Sequence, residues 1–474
     1  MLRSWRECAG KIAGGLPGLC CNDSFDSAID KQRPERLKHN DKRVVITGYG
    51  AFTPIGRSAV ETFENAARGV SGIREITSFD TRGLPTTIGG ECPPAWYDEL
   101  RARLAASHIR FGTRVERFAT RAAVMMLGAA EEAVSMAFVH GGNQFDALRI
   151  GVAIGNHGET PPVEDMVFLH RFYDGKRGWD VPALMKAGGY DFFNFMRRKG
   201  DVAAAITGAA FGSGGPNVSV SSACAAGAQA IGEASALIRD GVADAMIAGG
   251  CESTLNFSGF VSFVLIKALV EKYTSPSAAS RPFDRKRGGF VMSEGAGAVV
   301  IEELYHALKR NATIYGEILG YGSSADAYRI TDTHPKGEGA IIAMKSAIED
   351  AGLTTGEVDY VNAHGTSTIQ NDATETLAIK AVFGDKSKSL PVSSNKSMIG
   401  HTIAAAGAIE CVLSTMGINR SVVLPTINYE NPDPRCDLDY VPNVARTMEH
   451  RVVLSNSFGF GGQNACLCIG KFQE

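Results

Sequence analysis

Long apolar runs are missing from this 474-residue chain: none approaches the roughly 20 residues that a membrane-spanning helix requires. Charge of one sign is scarce too. Lys plus Arg (48) nearly balances Asp plus Glu (51), and the net charge of -3 argues against a general nucleic-acid binder. The ten cysteines never form a CxxC pair, so no zinc or other metal site is expected. No secretory h-region is present, which points to reduced thiols and a cytoplasmic protein. A phosphate loop is also missing. Gly48-Tyr-Gly-Ala-Phe-Thr-Pro-Ile-Gly56 reads as a glycine-rich loop after the strand-like run Val44 to Thr47. It has neither the Gly-Lys-Ser/Thr ending nor the GxGxxG spacing that cradles phosphates.

What remains is an ordinary globular composition, 44% hydrophobic and 21% charged, long enough for two or three domains or one large α/β unit. Residues 1–40 are polar, mixed in charge and without a hydrophobic period, so a disordered extension is expected there. Arg3, Arg6 and Lys11 leave an organellar transit peptide open, but Glu7, Asp23, Asp26 and Asp30 are unlike one. From Arg43 onward, strand-like runs (44–47, 148–154, 218–222, 244–248, 296–302) alternate with helical patterns such as 58–69 and 114–138. This alternation predicts a largely parallel, helix-covered α/β sheet. The aromatic-rich stretch 156–200 reads as a cap or a dimer-facing insertion.

A faint repeat is visible. Pro216 to Cys224 runs into an Ala/Gly-rich helix, as Leu390 to Met398 does before Gly400 to Glu410. Gly288 to Ile301 resembles Ser457 to Ile469. Two similar halves would place their loops at equivalent strand ends, where α/β folds carry function.

Cys224 follows the β-branched run Val218 to Ser222 and stands where a helix begins. Unpaired N–H groups and the macrodipole there favour a thiolate, the nucleophilic form. The alternative is a buried small hydrophobe. His364, in Asn362-Ala-His-Gly-Thr-Ser-Thr368, follows the apparent strand Val358 to Val361 and is placed to face a pocket. His401 opens a small-residue helix after Ser394-Asn-Lys-Ser-Met-Ile-Gly400. Taken singly, either histidine could be a satisfied structural residue. Lys396 has small and apolar neighbours, which suits a buried, paired lysine better than a solvated one.

Together these segments resemble the β-ketoacyl-acyl-carrier-protein synthases, the elongating condensing enzymes of fatty acid synthesis. The resemblance covers about residues 43 to 472. It rests on Ser222-Ala-Cys-Ala-Ala-Gly227, Arg281-Pro-Phe-Asp-Arg-Lys-Arg-Gly-Gly-Phe290, Gly295-Ala-Gly297, His364-Gly-Thr-Ser-Thr368, Asn395-Lys-Ser-Met-Ile-Gly-His401 and Asn456-Ser-Phe-Gly-Phe-Gly-Gly462, in family order. It implies the thiolase-type five-layer α-β-α-β-α sandwich of two similar halves, 41–302 with the nucleophile and 303–474 with two histidines. It also implies a homodimer, an acyl carrier protein as partner, and no cofactor. Cys224, His364 and His401 match the family's catalytic trio. Lys396, Asp372 and Glu375 match its supporting polar residues, Phe460 its gate, and Phe263 a position in its acyl pocket.

The reaction so implied is decarboxylative Claisen condensation. An acyl chain moves onto Cys224, malonyl-acyl carrier protein loses CO2, and the resulting enolate attacks the acyl group. The amides of Cys224 and Phe460 are the expected oxyanion donors. Lys396 is expected to orient His364 through Glu375, with lowering of the thiolate pKa by its field as the alternative. Thr366 and Thr368 are expected on the pantetheine arm, with loop capping as the alternative. Arg110, Arg114, Arg117 and Arg121 share one helical face and suggest a docking row for an acidic carrier; a solvated face explains the same spacing. The chain departs from the family at Val264 and Leu265, expected to reshape the acyl pocket, and at Asn371 and Gln463. A condensing enzyme of polyketide or polyene metabolism is the alternative function. A non-catalytic chain-length subunit is disfavoured because Cys224 is present.

Overall fold

The computed structural model describes residues 42–107, 109–138, 146–190, 192–329 and 333–474. The expected extension, residues 1–40, lies outside them. Among the described residues no helix is long and apolar enough to cross a membrane.

Ten strands form one sheet: β1 Val44–Phe52, β2 Ile150–Gly155, β3 Asn217–Val220, β4 Ala245–Glu252, β5 Gly295–Glu303, β6 Gly316–Ala325, β7 Tyr360–Asn362, β8 Val392–Ser393, β9 Val452–Gly459 and β10 Gln463–Gly470. The spatial order is β8-β7-β9-β10-β6-β1-β5-β4-β2-β3. The seam is narrow. β1 and β6 pair only through Val45 with Glu317 and Ile46 with Gly316. On either side of it the pattern is the same. β2 pairs in parallel with β3 and β4, then β4–β5 and β5–β1 are antiparallel. β7 pairs in parallel with β8 and β9, then β9–β10 and β10–β6 are antiparallel. Two similar halves, each with five strands on its side of the narrow seam, follow from that equivalence.

Six helices matter for the site: α1 Arg121–Ala137, α2 Ala226–Arg239, α3 Phe257–Leu265, α4 Glu338–Asp350, α5 Ile369–Phe383 and α6 Ala406–Arg420. α1 covers the outside of β1 and β5, and α4 the outside of β6 and β10. α2 and α6 lie between the halves and touch strands of both. The layers run α-β-α-β-α. Central strands are buried on both faces, which is why they read as continuous apolar runs rather than alternating ones.

Two local expectations change. Gly48 and Gly50 lie inside β1, not in a loop, because α1 crosses this strand at backbone contact. A Cβ on Gly48 would stand 2.0 Å from the Ala133 carbonyl oxygen, and one on Gly50 2.1 Å from that of Ala129. The helix expected over 114–138 is two helices, Thr113–Phe118 and α1, because the Thr120 hydroxyl caps α1 by accepting from the Ala123 amide.

The repeat is real but its register differs from the one read in the sequence. α2 is entered through a tight turn at Ala223–Ala225, and α6 through a matching turn at Ile403–Ala405. Both turns hold a residue in the left-handed region, Ala223 at φ 50° and Ile403 at φ 45°. Cys224 is thus the counterpart of Ala404, not of Met398. The second half carries an added short helix, Lys396–Ile399, ahead of its turn.

Candidate active site

The sulfur of Cys224 sits at the junction of β3 with α2, buried between the halves. Gly227 and Gly407 let the two central helices meet there. A Cβ on Gly227 would lie 2.7 Å from the Ala404 oxygen, and one on Gly407 2.8 Å from the Ala228 amide nitrogen. That approach brings the loops of both halves over one cavity.

His401 Nε2 lies 3.0 Å from Cys224 Sγ. The His364 ring stands edge-on to the His401 ring at 5.3 Å between centroids. Donor atoms of the three residues all fall within 4.8 Å of one another. Each ring is held from outside the trio. The backbone of His401 is stapled to the first half, its N–H donating to the Val291 carbonyl (2.8 Å) and its carbonyl accepting from Ser293 (3.0 Å). Phe290 meets its imidazole edge-on at 5.1 Å. His364 hangs from a loop clamped by Glu375, whose two oxygens accept from the amides of His364 and Gly365 at 2.8 Å each. Asn456 of β9 donates to the same carboxylate at 3.0 Å.

The Ile403 amide donates to His401 Nδ1 at 3.3 Å. The proton of the neutral ring therefore resides on Nε2 and points at the sulfur. With that lone pair committed, the trio offers a poor three-ligand metal set despite its spacing. His364 Nδ1 has no partner among the described residues. Burial, then the Lys396 charge, holds both imidazoles well below their usual range, so both are neutral donors at physiological pH.

Burial opposes the thiolate that the sequence suggests. Burial pushes the Cys224 thiol up to about 12, against the lowering effects of the Lys396 charge and of hydrogen bonds from the Phe460 and Cys224 amides. A short turn into a helix is expected to favour the thiolate; around this buried sulfur desolvation outweighs it. The three groups aimed at the sulfur are nevertheless all donors. They suit an anion, whether a thiolate or the oxyanion that forms beside it.

Lys396 differs from expectation in its partner. Its ammonium pairs with Glu410 of α6 at 2.5 Å, both buried, while Glu375 is engaged by amides instead. Glu410 was missed in the sequence. It is the only carboxylate in the otherwise apolar and neutral stretch Ala406 to Ile418, which was the available signal. Asp372 is fully buried at a distance from the sulfur. It accepts from the Phe283 amide at 2.8 Å and faces Arg287 at 3.6 Å, tying the Arg281–Phe290 segment to α5.

The cavity over Cys224 has a volume of about 540 Å³ and is lined by both histidines, Thr366, Thr368, Phe290 and Phe460 among others. The Thr366 and Thr368 hydroxyls lie 3.0 Å apart. Thr368 also caps α5, accepting from the Asn371 amide at 3.2 Å, so the capping alternative holds for it. Phe460 tips the turn between β9 and β10, where Gly461 (φ 85°) and Gly462 (φ 71°) supply left-handed backbone. Gly459 allows the close approach: its Cβ would fall 3.3 Å from the Cys224 amide nitrogen. Beside the sulfur lies an apolar cluster of Ile76, Leu255, Phe260, Leu269 and Phe290, with Phe263, Val264 and Phe460 packed on it. Phe263 meets Phe290 edge-on at 5.7 Å. Leu265 does not reshape this pocket, because it points outward and is 75% exposed.

The arginine row is not one face. Arg110 precedes the short helix Thr113–Phe118, Arg117 stacks on Phe193, and Arg121 begins α1 with its guanidinium paired to buried Glu294 at 2.7 Å.

Residues 41–307 match the N-terminal domain of beta-ketoacyl synthase, and residues 315–430 its C-terminal domain. The chain belongs to the β-ketoacyl synthase family. A 3-oxoacyl-[acyl-carrier-protein] synthase 2 of Coxiella burnetii is 40% identical over 91% of this chain and 99% of its own length. The protein of that name from Staphylococcus aureus (strain COL) is 41% identical with the same coverage. Among solved structures, a beta-ketoacyl synthase from Burkholderia phymatum STM815 superposes with a TM-score of 0.78 at 32% identity, over 91% of this chain and all of its own. A type II polyketide ketosynthase solved with its acyl-carrier protein matches equally well, at 0.78 and 33%.

Proposed function

We propose that this chain is a 3-oxoacyl-[acyl-carrier-protein] synthase, an acyltransferase that elongates fatty acyl chains by decarboxylative condensation. The observation that carries this reading is the buried trio: a sulfur 3.0 Å from one imidazole nitrogen, with a second imidazole edge-on to the first. The 40–41% identical relatives, matched over nearly their whole length, support fatty acid elongation over the polyketide alternative.

Acylation comes first. Cys224 Sγ attacks a carrier-bound acyl thioester, its proton leaves with the carrier thiol, and the oxyanion is held by the Cys224 and Phe460 amides. Each such donor is worth about 2.7–4 kcal/mol of transition-state stabilisation. The acyl chain then lies along the Phe263 and Phe290 cluster, and Phe460 swings to admit it. Malonyl thioester next loses CO2, breaking its carboxyl C–C bond. The electron pair becomes an enolate whose oxygen accepts from the two neutral imidazoles. The enolate carbon attacks the acyl carbon, the C–S bond breaks, and Cys224 leaves as thiolate and takes up one proton. Burial keeps both rings neutral, and Lys396, held by Glu410, adds to this and supplies the positive field that lowers the thiolate's cost.

The surface favours a homodimer. β3 is an outer edge strand of the sheet, and an open edge invites pairing. Beside it, the 156–200 insertion exposes Met166, Val167, Trp179 and Met185, and Gly200 is tied to β3 through the Ser219 hydroxyl at 2.8 Å. Sedimentation at the monomer mass would contradict this.

Intact-mass measurement after mixing with acyl-carrier substrates of graded length tests the main reading. Wild-type protein gains one acyl group, and Cys224→Gln gains none yet still decarboxylates malonyl-carrier, because glutamine mimics the acylated side chain. Loss of both activities in Cys224→Gln would refute separate roles for the thiol and the imidazoles.

A further inference from the structure

Beside the turn that holds the nucleophile lies an ion pair that the mechanism leaves unused. His157 Nδ1 stands 3.0 Å from a Glu252 carboxylate oxygen. The two residues sit at the ends of neighbouring strands. Gly155 at the end of β2 lies opposite Gly250 of β4, and β4 ends at Glu252. Both strand ends press on the start of α2, two residues past Cys224. A Cβ on Gly155 would fall 2.4 Å from the Ala226 carbonyl carbon, and one on Gly250 3.0 Å from Gly227 Cα. The Asn156 amide donates at 3.0 Å to the carbonyl of Val220, the last residue of β3 before the turn. The Glu252 side chain is buried, 1% exposed, and its other oxygen accepts from the Ser253 amide at 3.1 Å and from the Thr254 hydroxyl. His157 is its one cationic partner among the described residues. The pair adds charge rather than connection, because the Asn156 side chain already ties the strand ends by donating to the Cys251 carbonyl at 3.1 Å.

Charge at this place bears on the trio. The Glu252 charge acts with burial, and against Lys396, to hold the Cys224 thiol up. The His157 charge acts with burial and Lys396 to keep the His401 ring neutral. Burial opposes the imidazolium of His157, but the hydrogen bond and charge of Glu252 together outweigh it and raise His157 above the ordinary imidazole value. We propose that His157 is a further positioning residue of the condensation, whose imidazolium offsets the Glu252 carboxylate beside Cys224 and leaves the sulfur free to react as a thiolate. This rests on the condensation proposed above. The two halves then carry inverted pairs. In the second half the cation, Lys396, bears on the sulfur and Glu410 holds it. In the first half the carboxylate bears on the sulfur and His157 balances it. Removing the imidazole leaves a buried carboxylate uncompensated near a group that must become an anion, and like charge disfavours that.

The test reads the sulfur directly, as the rate of iodoacetamide labelling of Cys224 at pH 6.5. It reads the reaction as the rate at which Cys224 gains an acyl group from an acyl-pantetheine thioester at the same pH. His157→Gln should slow both about three- to tenfold, since a thiol raised by one unit loses tenfold in thiolate at fixed pH. His157→Lys should rescue both, because it keeps a cation beside Glu252. Glu252→Gln should label no more slowly than wild type, and adding it to His157→Gln should recover most of the loss. Equal slowing in His157→Gln, His157→Lys and Glu252→Gln would make the pair a structural tie and overturn the proposal. Unchanged labelling in His157→Gln would overturn it equally. Should His157→Gln fail to fold, Glu252→Gln carries the test alone, and slower labelling than wild type in that variant would overturn the proposal. Wild-type protein that takes no acyl group from any thioester would instead remove the condensation reading, while the labelling series would still report the charge at the sulfur.

Discussion

In the first half the chain leaves β3, turns through Ala223 in the left-handed region, and enters α2 with a sulfur in the turn. In the second half it leaves β8, makes the added helix Lys396–Ile399, places His401, and only then turns through Ile403 into α6 with Ala404 where the sulfur would be. The strand order on both sides is the same. One frame has been used twice, and its two copies differ only in what their strand-end loops carry. On the proposed reading the first presents the nucleophile. The second presents two neutral donors and a buried cation. On that reading acyl transfer needs the sulfur and decarboxylation needs donors for an enolate, so only the full condensation needs both.

Removing one side's chemistry separates the halves most sharply. Cys224→Ala should abolish acylation and lower condensation by at least about 10³-fold, as loss of a nucleophile does. His364→Ala should still gain one acyl group by mass while losing malonyl decarboxylation. If His364→Ala cannot be acylated, the division of labour is wrong.

The sulfur itself gives the next largest effect. A thiol pushed up to about 12 holds little thiolate at neutral pH, and its anion grows with every unit of pH below that value. Iodoacetamide labelling of Cys224 should therefore rise about tenfold per pH unit from pH 7 to 10 without levelling off. A plateau below pH 9 would mean that the three donors at the sulfur outweigh its burial.

The second half has a matching vulnerability. Lys396→Ala leaves the Glu410 carboxylate buried without its cation, and unbalancing a buried pair costs about 3–5 kcal/mol. Lys396→Ala with Glu410→Ala should recover part of that stability but not the activity, because the field on the imidazoles stays lost. Thermal unfolding and turnover, measured on both variants, separate the two contributions.

The sequence made the trio legible because its chemistry-bearing residues stand in small-residue surroundings that local reading can detect. Cys224, His364 and His401 each follow a strand and precede or begin a helix. Partnerships were not legible. Lys396 is matched to Glu375 because a carboxylate eleven residues past His364 would otherwise sit unpaired, yet Glu410 lies fourteen positions on, facing it only because α6 folds back between the halves. Gly48 and Gly50 read as a loop because glycine signals a turn locally, whereas here it makes room for α1. The repeat register slipped for a related reason. Pro216 to Cys224 and Leu390 to Met398 look alike in composition, but equivalence is fixed by the left-handed turns at Ala223 and Ile403, which side-chain pattern does not encode. The thiol's upward shift depends on how completely the pocket closes, which three-dimensional packing decides.

The glycines at the crossing test whether the halves are as equivalent in energy as in topology. Gly227→Ala would bring a methyl to 2.7 Å from the Ala404 oxygen, and Gly407→Ala to 2.7 Å from the Ser457 hydroxyl. Each should cost about 1–3 kcal/mol by overpacking. Gly175→Ala, with nothing within 4 Å of the new methyl, serves as the control. A loss at one crossing glycine and none at the other would show that one half yields to the other.

Thr368 carries the smallest effect and closes the comparison on the second half's own terms. Its hydroxyl caps α5 and also faces the cavity. As a cap, Thr368→Ala should cost about 1 kcal/mol. It should show as faster hydrogen exchange in the first turn of α5 with a few-fold loss of kcat/KM, and Thr368→Ser should reverse both. A rise in KM for pantetheine thioesters with exchange unchanged would make the hydroxyl a substrate contact instead. Thr120 of the first half has no such double duty: it caps α1 on the outer layer, where the helix only covers the sheet. Caps on the outer helices should therefore affect stability alone, and only the cap at the cavity should couple stability to turnover.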